Sequence, residues 1–591
     1  MSKETTKIQK SETGNWWDKD GTPQYGGEMV IRASRNIVNF DPYFSERLTT
    51  IQTAWMERLQ ADDWTLDPEI FDYKPLWHNP KYLKGQLAAS WELPEPDTIV
   101  FHLRKGVHWH DIPPANGREF VADDVVFHFN RLYALGGGFT KPSPFHIATL
   151  AFQELKSVTA ADKYTVVFKW KTANPEFIID TLLDVRLSTC LENPEAVKMW
   201  GDVSDWHHAI GTGPFMLKDF DPQSSATLVK NPNYWGYDER YPQNRLPYLE
   251  QVKYMLIPDE AAALEAMRAG KIDVIDCVSP VKAQAMCKTN PEIRQILTPL
   301  PPTFSVDPRI DKTPFNDIRV RKAMQMAIDL PSIAASYYQG LVEPYPDTLT
   351  SRYMKKWGFG FPYEEWPQDL KNEYAYNPGG AKKLLSDAGY PDGFRTNIVA
   401  DAAGDMDLLH IVKSYFAQIG IEMEIRPMES DAWATFVPIG HKHDQLAHRP
   451  NGPLGHSSPP LRDLTRFQTG ASQNYQMVSD PVIDLFCSRT ESAKSLDEVL
   501  RIYRDANEYV ARQHFSISLL QPLAYSLCQP WIKGFNAQFG STWGAASGPG
   551  MLSFYLGRFW VDQNLKKSMG HQSSGSVIKN NRYNNRDMRK I

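Results

Sequence analysis

The stretch that decides the fold reads RTNIVADAAGDMDLLHIVKSYFAQIGIEMEIRPM, residues 395–428. Its first seven residues are typical of a buried strand. The apolar residues of the middle part recur at helical spacing: Leu408, Val412, Tyr415, Phe416 and Ile419. Gly420 ends that helix, and apolar residues then alternate with charged ones from Ile421, as in a half-buried strand. A strand, a helix and a strand of these lengths predict a right-handed crossover within an α/β sheet.

Further helices and strands are indicated on the N-terminal side of this unit. Asp259 caps a helix of alanines and leucine that closes at Gly270, and KIDVID then predicts a strand. Asn377 caps a second helix, which Gly389 ends. Helix and strand alternate along the chain without a long low-complexity linker, which favours a lobed α/β protein with domains joined by chain crossings.

The region before these helices predicts strands and a short helix. TIVFHLRKGVHW, from Thr98, alternates in polarity and is broken at Lys105-Gly106, which predicts a hairpin with Phe101 and Leu103 on one face. Residues 122–132 carry apolar side chains at helical spacing after two acidic residues and predict an amphipathic helix.

Length and composition limit the class of protein. With 591 residues, 42% of them hydrophobic, the chain is long enough for two or three domains. A net charge of -6 gives no basic field for a nucleic acid, so no such partner is expected. Five cysteines without a CxxC pair do not predict a disulfide framework. No apolar run suits a membrane span, and the first 25 residues lack the apolar core of a signal peptide.

Several motifs follow one another in a fixed order. They are LAASWELPEPDTIVFHLRKGVHWHD with FVADDVVFHFNRL, GTGPFMLKDF with LVKNPNYWG, PDEAAALEAMRAGKIDVID, KTPFNDIRVRKAMQMAIDLPSI, and YNPGGAKKLLSDAGYPDGF. Together they resemble the family 5 extracellular solute-binding proteins of ABC importers, the oligopeptide, dipeptide and nickel-binding family. The resemblance extends from Gly26 to about Leu565.

The resemblance implies an α/β, two-lobed periplasmic-binding-protein-like fold of type II with three domains and a ligand cleft between the lobes. Domain I would comprise residues 26–58, 210–297 and 523–566, domain II residues 59–209, and domain III residues 298–522. Residues 1–25 would be a flexible lead, and the polar residues 567–591 a disordered tail.

The resemblance also implies a function. The chain would capture a peptide or another small organic solute by hinge closure and deliver it to an ABC permease and its ATPase subunits. It would act as a monomer without a cofactor, in the periplasm or at the cell surface, peripheral to the membrane through the permease. The alternatives are a nickel-type metal-chelate binder of the same fold, an intracellular peptide sensor or chaperone, and a hydrolase.

The sequence departs from the family where the ligand site is expected. Peptide-binding members carry an acidic segment there that pairs with the peptide amine, but residues 443–460 read HDQLAHRPNGPLGHSSPP, without an acid after Asp444. Arg449 instead suits a carboxylate or phosphate, because no acid neighbours it in sequence. The expected ligand-binding residues are Tyr43, Phe44, Phe304, Asp307, His448, Arg449 and Trp543.

Metal and catalytic sites are less favoured. His110-Asp111 occupies a structural turn of the family, whereas His441, His443, His448 and His456 lie in the departing segment. Their spacing matches no common metal motif, so no metal ligand is predicted. HExxH, GxSxG and Walker A motifs are missing from the sequence, and no enzyme activity is expected.

Overall fold

The computed structural model describes residues 15–34, 40–44, 50–74, 80–143, 155–171, 190–298, 305–350, 354, 357–402, 404–449, 464–471, 473–521, 524–538 and 552–570. Within these ranges, helices long and apolar enough to cross a membrane are absent. All five cysteines lie in the described ranges, and none forms a disulfide.

Twenty strands are described. In chain order they are β1 Glu28–Ala33, β2 Gln60–Asp62, β3 Leu83–Gly85, β4 Ala88–Glu95, β5 Thr98–Leu103, β6 Leu155–Asp162, β7 Thr165–Trp170, β8 Phe215–Asp221, β9 Ser225–Lys230, β10 Gln251–Leu256, β11 Val274–Val278, β12 Arg294–Thr298, β13 Ser305–Pro308, β14 Phe394–Asp401, β15 Ile421–Met428, β16 Leu446–Arg449, β17 Ile517–Ser518, β18 Ala524–Cys528, β19 Ile532–Lys533 and β20 Trp560–Val561.

The α-helices of the described residues are Ala122–Tyr133, Pro194–Trp200, Glu260–Arg268, Pro280–Thr289, Ile318–Met326, Leu330–Ser332, Gln368–Tyr374, Pro378–Asp387, Met406–Gln418, Ser430–Ala434, Pro481–Ser492, Leu496–Gln513, Leu552–Arg558 and Gln563–Ser568. The predicted caps are confirmed: the side chains of Asp259 and Asn377 accept hydrogen bonds from the backbone amides of Ala262 and Gly380.

One sheet of seven strands forms the centre of the part that we call lobe 1. Its order is β12-β18-β11-β1-β10-β9-β8, so it takes strands from residues 28–33, 215–298 and 524–528. Strand β1 runs parallel to β10 and β11, and β18 runs antiparallel to β11 and β12. The carboxyl ends of β1, β10 and β11 therefore share one edge of the sheet.

A four-stranded antiparallel sheet, β4-β5-β7-β6, completes lobe 1. Phe101 and Leu103 are both buried on one face, as predicted. The predicted hairpin turn at Lys105-Gly106 is wrong, however, because β5 pairs with the preceding strand β4 and with β7. After Gly106 the chain forms only an isolated bridge between His108 and Glu119, since the neighbouring edges of β5 are already occupied.

Lobe 2, residues 305–521, is built on the five-stranded sheet β15-β14-β16-β13-β17. The predicted crossover is confirmed: β14 runs parallel to β15, and the helix Met406–Gln418 connects them. That helix buries Leu408, Val412 and Phe416 against the sheet. Strand β16 is parallel to β14 and antiparallel to β13. Arg449, expected directly after this strand, is its last residue.

Two chain segments connect the lobes, and they leave each sheet side by side. In lobe 1, Thr298 at the end of β12 is paired with Ala524 at the start of β18. In lobe 2, Ser305 at the start of β13 is paired with Ser518 at the end of β17. The registers place these crossings at the carboxyl ends of β11 in lobe 1 and of β16 in lobe 2. The carboxyl edges of both parallel strand sets thus lie on the side where the lobes meet.

Residues 15–25 differ from the flexible lead expected for them. Trp16–Asp20 form a 3-10 turn, and the guanidinium of Arg240 lies 4.2 Å from the ring centroid of Trp16 and 3.6 Å from that of Trp64. The indole Nε1 of Trp16 donates to the carbonyl of Thr65 at 3.2 Å. A cation between aromatic rings holds this segment against lobe 1, an arrangement that depends on residues over 200 positions away.

Candidate ligand cleft

On lobe 1, the expected ligand contacts Tyr43 and Phe44 lie in the segment that follows β1. Its centre is Asp41, whose carboxylate is completely buried and accepts hydrogen bonds from Arg131 at 2.9 and 2.6 Å. The same carboxylate accepts from the backbone amides of Tyr43 and Val203 at 2.8 and 3.0 Å. Two guanidinium and two amide donors therefore compensate its burial.

Arg131 extends this contact into a buried network of charges. Its Nη1 also donates to Glu192 at 3.2 Å, and the other carboxylate oxygen of Glu192 contacts Nδ1 of His128. Burial by itself raises the pKa of Glu192, but the charges and hydrogen bonds of His128 and Arg131 outweigh it and lower that pKa to about 2. Glu192 is therefore ionised at neutral pH, and its two oxygens contact Arg131 and His128.

Tyr43 and Phe44 rest on this network. The hydroxyl of Tyr43 donates to the carbonyls of Lys141 and Pro142 at 2.9 and 3.2 Å, and the guanidinium of Arg131 lies 5.0 Å from its ring centroid. Phe44 packs edge-on against Tyr43 with ring centroids 4.8 Å apart, and 44% of its surface remains exposed. The loop thus presents an exposed aromatic ring on a fixed base.

The lobe 2 side is centred on Arg449, at the carboxyl end of β16. Its Nε donates to the buried carboxylate of Asp307 at 2.8 Å, and its guanidinium lies 3.9 Å from the ring centroid of Tyr475. Ser305 donates to the other oxygen of Asp307 at 2.8 Å. Arg449 has no acidic neighbour in sequence, but Asp307 on the adjacent strand neutralises it. The two expected ligand contacts Arg449 and Asp307 are therefore an ion pair.

His448 points to the other face of β16 and is completely buried. Desolvation lowers its pKa to about 4. Burial, helped by the charge of Arg309, lowers the pKa of His443 to about 4 as well, and its Nε2 contacts the carbonyl of Tyr475 at 3.0 Å. Both imidazoles are neutral at pH 7.

The described histidines of this region do not form a metal site. Among the described residues, no group of three or more His, Cys, Asp or Glu side chains could hold a metal ion. His110 contacts the backbone of Gly211 and Gly213 in the structural turn expected for it. His456, with residues 450–460 of the departing segment, lies outside the described residues, as do the expected site residues Phe304 and Trp543.

Several residues beside the expected contacts were missed from the sequence. Asp41, Arg131 and Glu192 form the base of the Tyr43 loop, and Tyr475 covers Arg449. Arg131 and Asp41 are 90 positions apart, and Tyr475 follows Arg449 by 26. The only local signal was Arg131 itself, an arginine within the apolar repeat of a predicted amphipathic helix, where a buried partner is required.

Two α/β lobes connected by paired crossings, with the carboxyl edges of their parallel strands on the side where they meet, define a two-lobed solute-binding protein of type II. The chain belongs to the bacterial extracellular solute-binding proteins, family 5, whose model, described as the middle part of the family, matches residues 83–452. The resemblance of the motifs and the predicted fold class are thereby confirmed.

Known proteins of similar sequence and fold agree with this assignment. Heme-binding protein A of Haemophilus influenzae is 25% identical over 481 residues, which cover 78% of this chain and 82% of that protein. The dipeptide-binding protein of Escherichia coli K12 is 26% identical over 471 residues, covering 76% and 83%. The solved periplasmic binding protein DppA from Helicobacter pylori, in complex with the peptide STSA, has a TM-score of 0.69 at 20% identity, covering 91% and 98%.

Proposed function

We propose that this protein captures a peptide or another small organic solute between its lobes by hinge closure and delivers it to an ABC permease driven by ATPase subunits. The observation that carries the proposal is the position of the crossings. Their ends are paired at the carboxyl edges of both sheets, so rotation about them would change the separation of the Tyr43–Phe44 loop and Arg449. A solute that touches both lobes favours the closed state by its differential contacts.

The nature of the solute is proposed from the cleft and from the relatives. A dipeptide-binding protein and a heme-binding protein are among the similar sequences, so proteins of related sequence bind solutes with apolar parts. The cleft offers the exposed ring of Phe44 and a neutral, hydrogen-bonding Asp307–Arg449 pair, which suits a zwitterionic or amide-rich solute. We assign ligand contact to Tyr43, Phe44, Phe304, Asp307, His448, Arg449 and Trp543.

The domain organisation that goes with this function has three parts. We assign residues 26–58, 210–297 and 523–566 to domain I, 59–209 to domain II and 298–522 to domain III. The seven-stranded sheet supports domain I because its strands come from these three stretches of chain. The four- and five-stranded sheets support domains II and III in the same way.

The mode of action that we propose is binding without chemistry. The protein would act as a monomer outside the cytoplasm, contact the membrane only through the permease, and need no cofactor. The family assignment supports the extracellular location. A binding role requires no free charged group, and Arg449 is paired with Asp307 just as Arg131 is paired with Asp41.

Native mass spectrometry of the protein with the solute it retains after purification tests this proposal. We expect one peptide or small organic molecule per chain, released unchanged on unfolding. A stoichiometric metal complex would replace the proposal by the chelate alternative, and release of a cleaved product after incubation with peptide would replace it by a hydrolase.

A further inference from the structure

We propose that Arg131 is a positioning residue for the solute site, which through Asp41 and Tyr43 holds the exposed ring of Phe44 where it contacts an apolar or aromatic group of the solute. This inference rests on the proposed function. The inference names one feature of the solute, and it assigns a role to Arg131 and Asp41, which are buried.

Two groups, Asp41 and Arg131, together make contacts to both the backbone and a ring of the loop. Asp41 receives the guanidinium of Arg131 on both oxygens, and it also binds the amide of Tyr43 through its side chain and the amide of Phe44 through its carbonyl, at 3.1 Å. Arg131 additionally lies over the ring of Tyr43. A shift of Arg131 therefore changes the backbone and the ring on which Phe44 rests.

The composition of this base favours a geometric role. Asp41, Glu192 and His128 are completely buried, and Arg131 is 3% exposed. Burying charged groups costs desolvation energy that well-packed apolar residues would avoid, so an ion network of this kind adds little stability by itself. It does fix direction, because a guanidinium bonded to both oxygens of a carboxylate has one orientation.

Phe44 differs in burial from the groups beneath it. Its ring is 44% exposed, while Asp41 directly before Pro42 has no exposed surface. In sequence, residues 40–44 follow β1, whose carboxyl end lies at the same sheet edge as that of β11. An exposed aromatic ring whose backbone amide and neighbouring ring are held by buried groups is arranged for apolar contact with a bound molecule.

Hydrogen exchange of the ligand-free protein tests the positioning. Arg131→Lys keeps the charge but cannot span both oxygens of Asp41, so the amides of Tyr43 and Phe44 should exchange about tenfold faster or more. The matched control is Arg118→Lys, since Arg118 also joins two carboxylates of lobe 1, Asp124 and Glu195, without touching the loop. Unchanged exchange in Arg131→Lys would overturn the proposal.

Calorimetry with the dipeptides Ala-Phe and Ala-Ala tests the contact. We expect the wild type and Arg118→Lys to prefer Ala-Phe by about tenfold, and Phe44→Ala, Arg131→Lys and their combination to lose that preference to the same extent. Additive losses in the double variant, or a preference retained in Phe44→Ala, would show that Arg131 does not act through Phe44.

The experiments also give a decision if Arg131→Lys does not fold or if the wild type binds neither dipeptide. If Arg131→Lys does not fold, Tyr43→Phe replaces it, because it removes only the hydrogen bonds to the carbonyls of Lys141 and Pro142. It should raise exchange of the Phe44 amide and reduce the preference, and failure of both effects would overturn the positioning. Binding of neither dipeptide by the wild type would count against the peptide class in the proposed function, while the exchange experiment would still decide the positioning.

Discussion

At the scale of single residues, the buried ion pair of Asp307 and Arg449 links the stability of lobe 2 to the ligand contact that we propose for these residues. Both side chains are almost completely buried, and their atoms lie 2.8 Å apart. A charge that loses its partner in such a place has no water to compensate it. The pair must therefore be treated as one group in any experiment on binding.

The first prediction concerns this pair. Arg449→Ala leaves the carboxylate of Asp307 buried alone and should lower the free energy of unfolding of the empty protein by about 3 to 5 kcal/mol. The double variant Asp307→Leu, Arg449→Met should regain most of that loss, because neither charge remains. Urea unfolding measures both. If Arg449→Ala unfolds at the wild-type urea midpoint, as we expect for the exposed Arg426→Ala, the pair has no structural role.

The second prediction concerns the buried imidazoles of His110, His443 and His448. Burial lowers each pKa from 6.5 to about 4. At pH values between about 4 and 6.5, the three imidazoles bind protons in the unfolded chain but not in the folded protein. The free energy of unfolding therefore falls as the pH drops from about 6.5 to 4. Each imidazole should contribute on the order of 3 kcal/mol.

Urea unfolding at several pH values measures this slope. We expect His448→Gln to reduce this slope by the contribution of one imidazole. Equal slopes in the wild type and in His448→Gln would show that His448 is protonated in the folded protein.

At the scale of secondary-structure elements, the β14–helix–β15 unit depends on the glycines that begin and end it. Gly393, at a φ of +78°, lies so close to Gly420 that a Cβ atom would be 2.0 Å from its carbonyl oxygen. Gly389, at a φ of +94° in the same turn region, would have no atom within 4 Å of an added Cβ. A Cβ atom at Gly389 would add only the strain of a left-handed backbone, whereas a Cβ atom at Gly393 would add a steric clash as well.

The third prediction compares these two glycines. Gly389→Ala should lower the free energy of unfolding by about 1 to 2 kcal/mol, the cost of a left-handed alanine. Gly393→Ala adds a clash with the backbone of Gly420 and should cost about 3 kcal/mol or more. Thermal and urea unfolding decide this, and equal losses would mean that the turn moves to accept the Cβ atom.

At the scale of the whole molecule, Trp357 packs against a hydrophobic core of each lobe. Its ring lies 5.4 Å from Phe71 and 6.2 Å from Tyr82 of lobe 1, while the neighbouring Phe359 is buried in lobe 2 against Tyr503. This aromatic contact stabilises the relative position of the lobes seen in the structure.

The fourth prediction is a change in the distance between the lobes. Trp357→Ala removes the aromatic contact and should raise the radius of gyration of the empty protein, whereas a saturating solute should lower that of the wild type. Small-angle scattering measures both, and Trp206→Ala, whose ring packs within lobe 1, is the control. The same profile for Trp357→Ala and the wild type would exclude Trp357 from controlling lobe position.

Much of this architecture was predictable because its causes are local. The 3.6-residue repeat of residues 408–419, the stop at Gly420 and the alternation from Ile421 are each determined within a few positions, and the parallel β14–β15 pair followed from them. The same holds for the caps at Asp259 and Asn377. The hairpin at Lys105-Gly106 failed because turn residues indicate where a strand ends but not which strand pairs with it.

The sequence by itself determined the α/β class, the order of the family's motifs and the loss of the acidic segment after Asp444. Only the tertiary structure decided that Asp307 neutralises Arg449, that Asp41, Arg131 and Glu192 form one buried network, and that residues 15–25 are packed against Arg240. The reason is physical: a charge is compensated by whichever opposite charge lies within a few ångströms, and the folded chain brings those partners together from 61 to 142 positions apart. It likewise brings Arg240 to the ring of Trp16 from 224 positions away.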